Sequence, residues 1–148
     1  MEINKVDKKH VRLKGGFFQE RQKINLISVK NIYKRFLETG RFEALKQNWQ
    51  EGQPNKPHVF YDSDVAKWIE SAAYVLIDQK DAELEKLCDQ YIDLIETRQE
   101  PNGYFNSYFS YIEPDKKWRY RTEHELYCAG HLMEAAIAYK KATPKDKF

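Results

Sequence analysis

The sequence predicts an all-α fold assembled from helical hairpins. Three observations carry this. Apolar residues recur at three- and four-residue steps in several long stretches. Segments rich in Gly, Pro, Asn and Asp separate those stretches. No long run alternates apolar and polar residues as a half-buried strand would.

The first helix is read over Gln19–Glu38, where Ile24, Ile27, Asn31 and Leu37 fall at near-helical spacing among Lys and Arg, and Gly40 supplies the stop. Phe42, Leu45 and Trp49 continue the spacing for two turns until Gly52, Pro54 and Pro57 break it, so residues 50–61 read as a loop. Asp62-Ser63-Asp64 then offers side-chain oxygens to the free N–H groups of a helix start. The helix over Asp64–Asp78 presents Val65, Trp68, Ile69, Ala72, Ala73 and Leu76 on one face.

A brief polar break leads into a third helix, Asp81–Gln99, striped by Leu84, Leu87, Cys88, Tyr91, Ile92 and Ile95. So short a connection folds the two helices into an antiparallel hairpin. Glu100-Pro101-Asn102-Gly103 is a turn, because Pro ends the helix and Asn-Gly accepts positive φ. Tyr104 to Tyr111 reads as extended, a short hairpin, with Pro114 and Asp115 turning the chain afterwards. The last helix, Glu123–Ala142, carries Leu126, Ala129, Met133, Ala136 and Ile137 on one side and His124, Tyr127, Cys128 and His131 on the other, and Pro144 ends it.

Composition narrows the function classes. With 41% hydrophobic and 32% charged residues over 148 positions, the chain can bury one core and is not disordered. Lys and Arg number 25 against 23 Asp and Glu, interspersed except at the Lys-rich ends, so no phosphate-binding stripe and no nucleic-acid partner are expected. Cys88 and Cys128 lie far apart and read as free buried thiols. Residues 1–14 are polar, without the apolar stretch of a signal peptide, and no run approaches a membrane span, so a soluble cytoplasmic chain is the expectation. Aromatics reach 14%, more than a minimal core requires, which leaves rings over for sugar stacking or interfaces.

Motifs for chemistry are sparse. His124, Cys128 and His131 stand at i, i+4 and i+7 on one helical face, but the set lacks the His-Glu-x-x-His spacing and a fourth ligand, so no metal site is expected. His124, at a helix start, is the functional candidate and His131 the structural one. Glu123 and Glu125 flank His124 but project to different sides, so they do not make a glycosidase carboxylate pair, and their charges suit a helix N-terminus. No nucleophile elbow, phosphate-cradling glycine loop or Cys-x-x-Cys pair occurs.

Four phrases occur together in order: Gly16-Phe17-Phe18 with Glu20-Arg21; Asp62-Ser63-Asp64-Val65-Ala66-Lys67-Trp68-Ile69-Glu70; Gln99-Glu100-Pro101-Asn102-Gly103-Tyr104; and His124-Glu125-Leu126-Tyr127-Cys128-Ala129-Gly130-His131-Leu132. In order and spacing they resemble the N-terminal region of the β-L-arabinofuranosidase family, glycoside hydrolase family 127. The resemblance implies a polar N-terminal segment over residues 1–18 and, over 19–148, an incomplete (α/α)6 barrel. In the family that barrel precedes β-sandwich domains and a zinc is held by cysteines and a glutamate, one cysteine acting as nucleophile. On this resemblance those groups lie downstream of Phe148. No catalytic residue and no cofactor are therefore expected within this chain, while zinc is implied for a full-length member. Cys88 and Cys128 match neither role. One residue carries over, His124, as a substrate-binding residue that contacts the arabinofuranose. Trp68 and Tyr104 read as core or wall, and Asp62 and Asp64 as helix caps.

Two functions stay open on sequence: an N-terminal part of an arabinofuranoside hydrolase, or a stand-alone helical module that binds carbohydrate or protein. An incomplete barrel would expose apolar helix faces, so self-association is also expected.

Overall fold

Apolar spacing is realised as five α-helices among residues 4–148, the part of the chain that the computed structural model describes. They are α1 (Gly16–Glu38), the short α2 (Arg41–Ala44), α3 (Tyr61–Asp78), α4 (Ala82–Arg98) and α5 (Glu125–Ala142), with 3-10 turns at Lys8–His10, Pro114–Lys116 and Arg121–Glu123. No strand forms among the described residues.

Boundaries differ from the sequence reading where a distant partner intervenes. Helix α1 begins at Gly16, so Gly16-Phe17-Phe18 is helical, and Gln19 Oε1 accepts from Gly15 N at 3.1 Å just ahead of it. Helix α3 begins at Tyr61, and its capping residue, Phe60, makes no side-chain cap. The capping roles read for Asp62 and Asp64 are not adopted, because both carboxylates are engaged elsewhere. Asp62 Oδ2 accepts from Ser107 N at 2.7 Å, and Asp64 Oδ2 pairs with Arg41 Nε at 2.7 Å. Helix α4 does have a side-chain cap, Asp81 Oδ1 accepting from Leu84 N at 2.9 Å. The extended hairpin read for Tyr104 to Tyr111 is absent. Asn106 Oδ1 accepts from Tyr108 N and Phe109 N at 3.1 and 2.9 Å, closing the aromatic segment into turns.

Helix α3 is the hub. Its Trp68 Nε1 donates to Val29 O at 3.0 Å and its Gln79 Nε2 to Gln22 O at 2.9 Å, so α1 runs antiparallel to it. The three-residue connection Gln79–Asp81 together with the Trp68–Tyr91 contact, 6.2 Å between ring centroids, makes α3 and α4 the antiparallel pair that the sequence implied. Phe42 of α2 fills the space between, stacked on Tyr91 at 4.0 Å and edge-on to Trp68 at 5.1 Å.

Helix α5 lies against α3 and runs parallel to it. Cys128 Sγ donates to Val59 O at 3.5 Å, Lys67 Nζ sits 4.8 Å over the Tyr127 ring, and Glu70 meets His131 and Glu134. The N-termini of α3 and α5 consequently share one end of the molecule, where the loops over 45–60 and 99–124 converge. At the far end Lys145 and Lys147 pair with Glu85, Asp89 and Asp93 of α4, and Tyr139 Oη donates to Asp89 Oδ1 at 2.6 Å.

The outward side of α5 leaves Leu126, Met133 and Ile137 at 74%, 66% and 57% exposure. No helix among the described residues is long and apolar enough to cross a membrane.

Candidate functional site

The converging loops place His124 at the mouth of a cleft. It adopts the left-handed conformation, φ 63° and ψ 13°, between the 3-10 turn Arg121–Glu123 and the first turn of α5. A side chain larger than Gly pays for that backbone, and such residues persist where the surroundings over-determine them. Here Glu123 N donates to Tyr120 O at 3.1 Å on one side and Cys128 N to His124 O at 2.8 Å on the other. The imidazole is exposed, edge-on to Tyr127 at 5.6 Å and to Phe60 at 5.8 Å.

Around it Trp118, Tyr120, Arg121, Glu125 and Tyr127 line a cleft of about 320 Å³. Trp118, Tyr120 and Tyr127 keep roughly half their surface open, so their faces are available to the C–H side of a sugar ring. Arg121 and His124 supply donors, and His124 an acceptor, for hydroxyl groups.

Glu125 supports this cleft from beneath. It is buried, its Oε1 accepts from Tyr104 Oη at 2.5 Å and its Oε2 from Trp118 N at 2.7 Å. Burial first, and then the hydrogen bond to Glu125, holds the Tyr104 phenol far above its ordinary range, so it stays a donor. Tyr104 packs edge-on against Trp118 at 5.3 Å, with Lys117, itself paired with Glu100, 4.7 Å over its ring. Tyr104 is thus a wall residue. Trp68, 2% exposed, belongs to the core.

Behind the first turn of α5 lies a second polar group. Burial pushes Asp62 up to about 6 against the opposing pull of the Ser107 N–H. Its Oδ1, Ser107 Oγ and Asn106 Nδ2 are enclosed without protein partners. Burial, with Asp62 adding to it, pushes the Cys128 thiol up to about 12. Cys88 likewise rises to about 12 within the stripe of α4.

The residues flagged on one helical face do not converge. Cys128 turns inward to Val59 O, while His124 and His131 each pack edge-on to Tyr127, at 5.6 and 4.5 Å. A zinc-binding thiol must ionise readily, which burial opposes in both cysteines. Among the described residues neither cysteine joins a cluster of ligating groups, so the cysteine-held zinc of the resemblance does not fit the residues described. Sequence reasoning missed Phe60, Trp118 and Tyr120. Their only signal was large aromatics in loops, where no periodicity explains them.

A family model for the β-L-arabinofuranosidase GH127 catalytic domain matches residues 10–148. The chain belongs to this family. The GH127 chain is 38% identical over 94 residues to a non-reducing end β-L-arabinofuranosidase of Bifidobacterium longum subsp. longum, an alignment covering 60% of the chain and 14% of that relative. Its fold superposes on a GH127 β-L-arabinofuranosidase from Geobacillus stearothermophilus T6 with a TM-score of 0.83 at 39% identity, over 93% of this chain and 23% of that one. A second GH127 β-arabinofuranosidase gives 0.81 at 26% identity, over 94% and 24%. The GH127 chain therefore spans about a quarter or less of each relative's length, and its helices form part of the family's helical (α/α)6 barrel.

Proposed function

We propose that this chain is the N-terminal portion of a glycoside hydrolase acting on β-L-arabinofuranosides, and that it supplies one wall of the sugar pocket but not the groups that break the glycosidic bond. The observation that carries the reading is His124 itself: a strained, solvent-facing histidine at a helix start, ringed by half-open aromatics and braced by the buried Glu125. Sites of this make combine apolar faces with a few fixed polar groups. Its role is orientation of a sugar hydroxyl. The open stripe of Leu126, Met133 and Ile137 further supports self-association of the isolated chain.

The test is an NMR titration of the chain with methyl β-L-arabinofuranoside at millimolar concentration. The resonances of His124, the Trp118 indole and Tyr127 are expected to move together and saturably, with the core Trp68 indole unmoved. Shifts confined to other surfaces, or none, would set the pocket reading aside.

A further inference from the structure

The parallel packing of α3 and α5 brings a second set of chemistry-bearing side chains together, two turns away from His124. Glu70 of α3 meets His131 and Glu134 of α5, and one ligating atom from each lies within 4.8 Å of the other two. His131 Nδ1 is sealed from solvent. It stands 3.1 Å from Glu134 Oε2 and yet has no hydrogen-bond partner. A sealed ring nitrogen beside a carboxylate oxygen but outside hydrogen-bond geometry leaves room for a further partner.

The charges point the same way. Neither carboxylate is paired with a Lys or Arg among the described residues. Lys67, one turn before Glu70 on α3, is directed to Asp64 at 3.8 Å and over the Tyr127 ring. Lys8, 5.3 Å over the Tyr74 ring, is taken up by Asp78 Oδ2 at 2.9 Å and by Tyr74 O at 2.7 Å. Two carboxylates and an unsatisfied imidazole nitrogen on one small patch lack only a cation.

We propose that Glu70, His131 and Glu134 form a binding site for a divalent first-row transition ion of the zinc class, with one coordination position left to water. An imidazole with two carboxylates suits such an ion better than magnesium or calcium, which take oxygen ligands alone. Three protein ligands and an open fourth position is an established zinc arrangement. Ligand atoms around a tetrahedral ion with bonds of about 2.1 Å sit roughly 3.5 Å apart, so the cluster closes by about 1 Å. The exposed Glu134 side chain has the freedom to make that adjustment. The bound ion would staple the third turns of α3 and α5 together. This site uses neither cysteine and does not rest on the sugar reading. It departs from the sequence-based expectation of no metal, which rested on the separation of the two cysteines and on the face shared by His124, Cys128 and His131.

The test is titration of the tag-free, metal-stripped 148-residue chain with Co2+, followed by visible absorption, with Zn2+ as competitor. One equivalent is expected to bind saturably, with d–d bands and no thiolate charge-transfer band, and to raise the melting temperature. Glu70→Gln, which keeps side-chain size, and His131→Ala are each expected to weaken binding at least about ten-fold. His58→Ala should leave it unchanged. Circular dichroism establishes that each variant is folded, and Glu70→Gln stands as the test if His131→Ala is not. Absence of saturable binding, binding unaltered in folded Glu70→Gln, or a thiolate band would overturn the site.

Discussion

Incubated with an arylated β-L-arabinofuranoside, the 148-residue chain is expected to release no phenol above the buffer rate. Cleavage needs a proton donor at the leaving oxygen and a nucleophile or activated water at the anomeric carbon, in most glycosidases two carboxyl groups about 5 to 9 Å apart across the bond. On the proposed reading the cleft around His124 does not supply them. Glu125 is the carboxylate that lines it among the described residues, and both of its oxygens already accept hydrogen bonds, from Tyr104 Oη at 2.5 Å and Trp118 N at 2.7 Å. Freeing it would leave a buried charge without partners, which costs several kcal/mol. The thiol one turn along the helix, Cys128, is pushed up to about 12 and is neutral at pH 7, so the thiolate needed for attack is scarce. On the proposed reading His124 orients a hydroxyl and takes no part in proton transfer. A full-length enzyme containing this chain is expected to turn the same substrate over. Turnover by the isolated chain, lost on changing Cys128 or Glu125, would place the catalytic group here and reverse the proposal.

The largest loss of stability is expected from Phe42→Ala. Helix α2 is only four residues long and cannot persist on backbone hydrogen bonds alone; it is held by its side chains. Phe42, 1% exposed, stacks on Tyr91, meets Trp68 edge-on, and lies 5.2 Å from Tyr33 and 5.9 Å from Phe36 of α1. One ring thereby ties α1, α3 and α4 together. Truncation removes its transfer free energy and leaves a cavity among rings that cannot all collapse into it, a cost of about 3–5 kcal/mol. Against a total of roughly 5–15 kcal/mol for a domain, that is a large share. Urea titration should show the midpoint falling with the slope preserved, while Phe18→Ala, at a position 69% exposed, should cost little. A Phe42→Ala cost below about 1 kcal/mol would mean that the aromatic cluster is not the core that joins these helices.

What the sequence made legible was local. Val65, Trp68, Ile69, Ala72 and Ala73 repeat at helical steps because one face of α3 is buried, and the short polar break before Ala82 leaves α4 little choice but to fold back. What escaped was non-local. Asp62 looked like a cap because its sequence context is that of a cap, but Ser107 N, far along the chain, claims its carboxylate. Tyr104 to Tyr111 looked extended because aromatics favour strands, whereas Asn106 binds the backbone two and three residues on and coils the segment.

The site divides in the same manner. His124 was singled out by its place at a helix start, and its proposed role as a sugar contact came only from the resemblance. The aromatic walls around it come from two loops whose convergence depends on α3 and α5 running parallel. Glu70, His131 and Glu134 were invisible as a group for that same reason: parallel helices are joined by a long return path, so their matching turns are remote in sequence.

The central claim is that this chain contributes a sugar contact without the bond-breaking chemistry, and His124→Ala in a full-length enzyme containing the chain tests it most directly. Loss of one oriented hydrogen bond from an ionisable group is worth about 1.5–3 kcal/mol, so kcat/KM on an aryl β-L-arabinofuranoside should fall roughly 10- to 150-fold, with the circular dichroism spectrum and bound zinc unchanged. A His124→Ala enzyme that keeps the full kcat/KM of its parent would contradict the claim.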